Sequence, residues 1–264
     1  MTELDGTRTF QAPADAYDAF MGRYSRALAP AFADYALAPG AGSLLDVGCG
    51  PGSLTGVGVA RLGAGAVAAI DPAPQFVAAS RERFPGVDVR HAAAEEIPYA
   101  DATFDAAAAQ LVLHFVSAPD RAAREMARVV RPGGTVAATV WDFAEGMQML
   151  RAFWDAALRL DPEAPDEART LRFGGPGELV ELFRGAELEE IEETTLAVES
   201  AYADFDELWA TFLGGVGPAG AYAVSRAPAD RELLRRALFD ELGRPAGGFT
   251  LRAVARAARG RRPS

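Results

Sequence analysis

Between residues 43 and 141, short apolar runs alternate with stretches of helical spacing. Residues 43–47 form a buried-strand pattern that ends at a glycine-rich turn, and residues 53–62 read as the helix after it. A second strand is expected at 66–70, followed by a helix over 73–84 that Pro85-Gly86 breaks. Residues 87–91 make a short third strand and 104–111 a fourth. A helix over 119–130 has Pro119 near its first turn, where a missing N–H costs nothing. Residues 131–134 read Arg-Pro-Gly-Gly, a turn, and 135–141 a fifth strand. Strands separated by helices of about ten residues imply a parallel sheet covered by helices.

The remaining residues are patterned more loosely. Helices are expected over 146–160, 178–184, 205–213 and 231–242, with a strand near 188–199. Residues 249–255 alternate as a strand does, after the turn Pro245-Ala-Gly-Gly248. Two late strands would complete a doubly wound, mostly parallel seven-stranded α/β sheet, Rossmann-like, with helices on both faces.

Composition narrows the function classes. The chain has 264 residues, half of them apolar and 24% charged, which describes a globular chain of one large domain. Its 37 acidic residues exceed 26 basic ones, a net charge of −11 that disfavours nucleic acid as a partner. One cysteine and two histidines leave no disulfide and no expected metal site. Lysine and asparagine are absent, as the coding bias of a GC-rich bacterium would make them, so alanine-rich periodicity carries little weight. Residues 1–13 are polar and show no signal pattern, and the longest apolar stretch, 106–116, is shorter than the ~20 residues a membrane helix needs. The expectation is a cytoplasmic protein with no membrane partner, a monomer or homodimer.

The most informative segment is Leu44-Leu45-Asp46-Val47-Gly48-Cys49-Gly50-Pro51-Gly52-Ser53-Leu54. A strand running into Gly-x-Gly-x-Gly lets backbone N–H groups approach a ligand closely. Asp71 follows Gly50 by 21 residues at the end of the second strand, where an open α/β sheet sets a carboxylate against ribose hydroxyls. A dinucleotide fingerprint would place its third glycine at position 53, which is Ser53. Asp46, inside the strand, opposes a pyrophosphate but suits an ammonium and a sulfonium. The pattern therefore favours S-adenosylmethionine over NAD.

Residues 44–55 resemble the first motif of the class I S-adenosylmethionine-dependent methyltransferases. The likeness continues through Ala69-Ile-Asp-Pro72, through Ala94-Glu-Glu-Ile-Pro-Tyr99 with Phe104-Asp105, and through Val129-Val-Arg-Pro-Gly-Gly134, and covers roughly 15–145. Within that class the chain looks like the group of quinone-biosynthesis C-methyltransferases and small-molecule methyltransferases. Tyr17-Asp-Ala-Phe-Met-Gly-Arg-Tyr-Ser25 resembles the helix that closes over the cofactor there. The resemblance implies cap helices over 1–40, a cofactor-binding core over 41–145, a lid segment over 146–242 and a final strand with a basic tail over 243–264.

It also implies a map of the site. Asp46 faces the methionine ammonium and Gln110 brings its carbonyl near it, while Arg23 pairs with the carboxylate and Tyr17 covers the sulfonium end. Gly48, Cys49, Gly50 and Gly52 supply close backbone, Asp71 takes the ribose hydroxyls, and Pro72 and Phe76 line the adenine. Ala94 offers its N–H to that ring. The family usually has an aspartate where this chain has Ala93, so adenine recognition falls to backbone, to Glu95 or to a shifted register. One lost charge-assisted hydrogen bond is worth ~1.5–3 kcal/mol, tenfold to a hundredfold in affinity.

The expected reaction moves a methyl group to a small organic acceptor, a natural-product or quinone-like molecule. A general base is needed for a hydroxyl, a carbon acid or a protonated amine. His114 is the first candidate, with local packing as its other reading, and Asp142 and Glu145 are the alternatives. Trp141 and Phe143 are expected in the acceptor pocket, and Phe153, Trp154, Trp209 and Phe212 in the core. His91 reads as an edge residue, Cys49 as a turn residue, and the arginines from Arg252 to Arg262 as a solvated tail. A non-catalytic S-adenosylmethionine-binding module and an NAD(P)-dependent oxidoreductase remain as competing readings.

Overall fold

The computed structural model describes residues 14–264, so the reading of 1–13 lies outside it. Its centre is set by small apolar side chains. Strands β1 (Leu44–Val47) and β2 (Val67–Asp71) are buried along their whole length, as parallel strands covered on both faces must be. β3 (Asp88–His91) lies at the sheet edge and buries only Val89. β4 (Phe104–Gln110) and the second half of β5 (Val130–Trp141) are rich in alanine and buried, but for Asp105 in β4.

The seven strands run in the order β3-β2-β1-β4-β5-β7-β6. The first five are parallel, with Asp46 beside Ala69 on one side and Ala108 on the other. The two late strands, β6 (Glu189–Tyr202) and β7 (Phe249–Arg261), complete the sheet in antiparallel pairing. The expected turn at 131–134 is a bulge inside β5. Phe104 pairs with Val130 but Ala106 pairs with Thr135, and Gly133 takes up the irregularity at φ +73°.

Helices cover the sheet with one apolar stripe each. Helix α1 (Arg23–Ala36) buries Tyr24, Leu28, Phe32 and Ala36, a run at i, i+4, i+8 and so on, against β4 to β7. A π turn (Asp18–Gly22) and a short helix (Ala14–Tyr17) precede it. Helices α2 (Ser53–Leu62), α3 (Pro74–Arg83) and α4 (Pro119–Val129) follow β1, β2 and β4, with prolines at the first turns of α3 and α4. After β5 come α5 (Gln148–Leu160), a single turn α6 (Glu167–Thr170) and α7 (Glu178–Gly185). Three more, α8 (Phe205–Leu213), α9 (Gly217–Ser225) and α10 (Pro228–Glu241), lie between β6 and β7. No helix among the described residues is long and apolar enough to cross a membrane.

The arginine-rich end is not a loose tail. β7 runs six residues past the expected strand end at 255, and its alanines 253, 255, 257 and 258 are buried between β5 and β6. Its arginines from Arg256 onward are tied down. Arg259 pairs with Glu192 at 2.7 Å, and Arg262 donates to the carbonyls of Arg128 and Val130.

Candidate functional site

The parallel strands present their C-terminal ends together, which is where an open α/β sheet binds ligands. β1 ends in the glycine turn. The N–H groups of Gly48 and Cys49 both donate to the Ile70 carbonyl, at 2.8 and 2.9 Å, which folds the turn onto β2. Gly48 has φ +70°, and a Cβ there would stand 2.6 Å from a Val112 methyl. Gly50 has φ +53° but faces open space, with nothing within 4 Å of where its Cβ would be. Its N–H donates to Asp71 Oδ2 at 2.8 Å, and Asp71 Oδ1 accepts from the Ala73 N–H at 2.8 Å. The acidic partner thus locks the two strand ends together, and burial still lifts its carboxyl to about 6.

A cavity of about 380 Å³ opens at these strand ends. Nine of the residues expected to hold a cofactor converge on it: Tyr17, Gly48, Gly50, Asp71, Pro72, Phe76, Ala94, Glu95 and Gln110. Ala93 lines it too, and the Glu95 carboxylate accepts the Ala118 N–H at 3.3 Å. Gly52 is absent from the lining. At φ +98° it turns the chain into α2, and a Cβ there would meet the Phe84 ring at 2.3 Å.

A smaller cavity under the glycine turn holds Asp46, Cys49 and Gln110, beside Tyr17 and Ser25. Asp46 Oδ2 accepts the Thr55 hydroxyl at 2.6 Å, and Gln110 Nε2 donates to the Ser25 carbonyl at 3.0 Å. Their other oxygens, Asp46 Oδ1 and Gln110 Oε1, are buried without a hydrogen-bond partner among the described residues. Burial raises Asp46 to about 7. The Tyr17 hydroxyl lies 3.3 Å from Ser25 Oγ, and its ring meets Phe76 edge-on at 5.4 Å. Burial pushes the Cys49 thiol well above its ordinary value, which disfavours the thiolate there.

Beyond Tyr17, Leu111 and Phe115, which it shares with the large cavity, lies a third space of about 30 Å³. His114, Trp141 and Phe143 line it, as does Glu167, which sequence reasoning did not single out. His114 is 6% exposed, with rings of Phe115 and Phe143 at 4.0 and 5.2 Å. Burial drops its pKa to about 3, so the imidazole is neutral and a weak base. Phe153, Trp154, Trp209 and Phe212 are core residues, and Trp154 Nε1 donates to Glu167 Oε2 at 2.8 Å.

Two more expected site residues, besides Gly52, are placed elsewhere. Arg23 pairs with Glu207 at 2.6 Å and stacks on Tyr202, its guanidinium carbon 4.2 Å from the ring centroid, and it lines neither cofactor-side cavity. Asp142 does not reach the cavities either. One oxygen accepts from Arg256 at 2.9 Å and the other caps the Glu145 N–H at 3.1 Å, so it fastens the end of β5 to β7. Glu145 is exposed. His91 is the edge residue expected, with Nε2 2.8 Å from the Pro72 carbonyl.

Residues 45–138, which carry the glycine turn and the strand-end carboxylate, match the family described as the methyltransferase domain. The chain is 38% identical over 113 residues to an uncharacterized methyltransferase of Mycobacterium tuberculosis, covering 43% of this chain and 45% of that protein. A ubiquinone biosynthesis O-methyltransferase of Methylocella silvestris is 34% identical over 156 residues, 57% of this chain and 59% of that enzyme. The chain therefore aligns with about half the length of these relatives. Among solved structures, one assigned as a type II methyltransferase from Anaeromyxobacter dehalogenans superposes with a TM-score of 0.60 at 25% identity, covering 90% of this chain and 96% of that one.

Proposed function

We propose that this chain moves the methyl group of S-adenosylmethionine to a small organic acceptor, natural-product or quinone-like, and releases S-adenosylhomocysteine. The observation that carries this reading is the pair of buried, unpartnered oxygens, Asp46 Oδ1 and Gln110 Oε1, at a glycine turn next to Asp71. An orphaned buried acceptor is costly, so two at one point mark the seat of a donor-rich group. An ammonium satisfies both, and a dinucleotide pyrophosphate satisfies neither.

The remaining residues fit the same ligand. Asp71 has lone pairs beyond those facing Gly50 and Ala73, enough to accept ribose hydroxyls. Phe76 and Pro72 offer an apolar wall to adenine, with the Ala94 and Glu95 backbone at its edge. With Arg23 held by Glu207, the methionine carboxylate falls to the side of the site lined by Tyr17 and Ser25. When bound, the sulfonium supplies an electrophilic methyl. The chain's own work is to align an acceptor with it and to exclude water, for which the rings of Tyr17, Phe115, Trp141 and Phe143 are placed.

The test is release of S-adenosylhomocysteine from S-adenosylmethionine over a panel of quinols, phenols and small carboxylic acids. The reading expects turnover above the acceptor-free rate with at least one class and its loss in Asp71→Ala. Reduction of a nicotinamide cofactor by any of these compounds would contradict it.

A further inference from the structure

The third cavity holds chemistry that the cofactor does not need. Its polar lining side chains are Tyr17, His114, Trp141 and Glu167. Two are engaged: the Tyr17 hydroxyl faces Ser25 Oγ, and Trp141 Nε1 donates to Met21 Sδ at 3.1 Å. Glu167 is 4% exposed and begins the four-residue α6, which Asp166 caps by accepting the Ala168 N–H. One of its carboxylate oxygens takes the Trp154 N–H. His114 Nδ1 is buried with no hydrogen-bond partner among the described residues. A carboxyl and a neutral imidazole facing an otherwise apolar, ring-lined space are expensive to bury unless a ligand uses them.

Resting on the methyl-transfer reading, we propose that Glu167 is the proton acceptor of the reaction and that the group it serves is a hydroxyl on an apolar, ring-bearing acceptor. The acceptor's O–H bond breaks and its proton passes to a Glu167 oxygen. The acceptor oxygen keeps that electron pair and bonds to the methyl carbon, and the pair of the broken carbon–sulfur bond stays on sulfur. Counting donors selects a hydroxyl over an amine. One hydroxyl hydrogen is met by the oxygen that Trp154 leaves open, whereas an ammonium brings three hydrogens to a wall with too few acceptors. Desolvation lifts Glu167 to about 7 and the Trp154 hydrogen bond holds it from rising further, which suits a general base near neutrality. His114, held neutral, is a positioning residue. At about 30 Å³ the space takes a water or two, so the acceptor ring enters as the π turn that carries Phe20 and Met21 and the loop at 216–218 part.

The test uses the full chain with S-adenosylhomocysteine bound, as confirmed by calorimetry on the same samples. The chain has three tryptophans, so its indole N–H resonances are few, and Trp154→Phe assigns the one next to Glu167. In wild type that resonance titrates with pH near 7, and in Glu167→Gln, which keeps the Trp154 hydrogen bond, it is flat. Adding 4-fluorophenol shifts it. The phenol binds at least tenfold more weakly to Glu167→Gln at pH 8, and 4-fluoroanisole, which lacks the hydrogen, binds wild type at least tenfold more weakly. In Trp154→Phe the pH above which the phenol binds best, read by fluorine NMR, moves upward. Equal phenol affinity in wild type and Glu167→Gln, tighter binding of 4-fluorobenzylamine than of the phenol, or an unmoved Trp154 resonance each overturns the proposal. If S-adenosylhomocysteine binds, those results remove the role of Glu167 alone; if it does not, the methyl-transfer reading falls first.

Discussion

Gly48 and Gly50 both sit in left-handed backbone, yet their surroundings assign them different duties, and alanine at each should separate the two. At Gly48 the new Cβ meets Val112 Cγ2 and Cγ1 at 2.6 and 2.7 Å, whereas at Gly50 it meets nothing within 4 Å. The left-handed conformation costs an alanine ~1–2 kcal/mol at either position. Displacing the Val112 methyls adds ~1–3 kcal/mol at Gly48 only. Gly48→Ala should therefore lose ~2–5 kcal/mol of stability in urea unfolding, and Gly50→Ala only ~1–2. Gly50 lines the cavity and a Cβ there has open space around it, so Gly50→Ala should weaken S-adenosylhomocysteine at least tenfold, ~1.4 kcal/mol, while staying folded. The double variant Gly48→Ala/Val112→Ala should lose less stability than the sum of its parts by the clash energy. The reasoning is refuted if Gly50→Ala is as unstable as Gly48→Ala, if it binds the ligand at wild-type affinity, or if the double variant is additive.

Four further outcomes follow from the same structure. Asp142→Asn should lower stability by ~1–3 kcal/mol through the weakened Arg256 contact and leave S-adenosylhomocysteine affinity unchanged, as calorimetry and urea titration would show. Asp46 stands at about 7, above its ordinary 3.8, so the stability its neutral form contributes is complete below pH 3.8 and is lost progressively as pH rises to about 7. Asp46→Asn should flatten that part of the ligand-free stability profile. His114 stands at about 3, below 6.5, so its contribution is complete above pH 6.5 and is lost as pH falls toward 3, and His114→Leu should remove that acid limb. Hydrogen exchange over residues 17–25 should slow when S-adenosylhomocysteine binds, because Tyr17 and Ser25 line its cavity; equal protection with and without ligand would count against a closing helix.

What the sequence revealed was local, and what it hid was distant. Asp71 and the glycine turn are legible because a strand, a tight turn and a second strand end lie within a few dozen residues. The fate of Arg23 is not, since its partner Glu207 is 184 residues away, and Asp142 is 114 residues from Arg256. Spacing alone ends β7 at 255, because arginines alternating with alanine look like a solvated end until β6 and β5 flank them. Glu167 gave no signal. It lies in a proline-broken stretch with no periodicity, and its burial beside Trp154 is a product of tertiary packing. His114 shows the complementary lesson: its position at the strand end was readable, but its neutral state depends on burial, which a lone sequence does not report.

The most direct measurement is calorimetric titration of the chain with S-adenosylhomocysteine, with NAD⁺ in parallel and Asp71→Ala as control. Micromolar binding of the homocysteine compound, lost in the variant and absent for NAD⁺, is the predicted result. Binding of NAD⁺ alone would contradict the account at its centre.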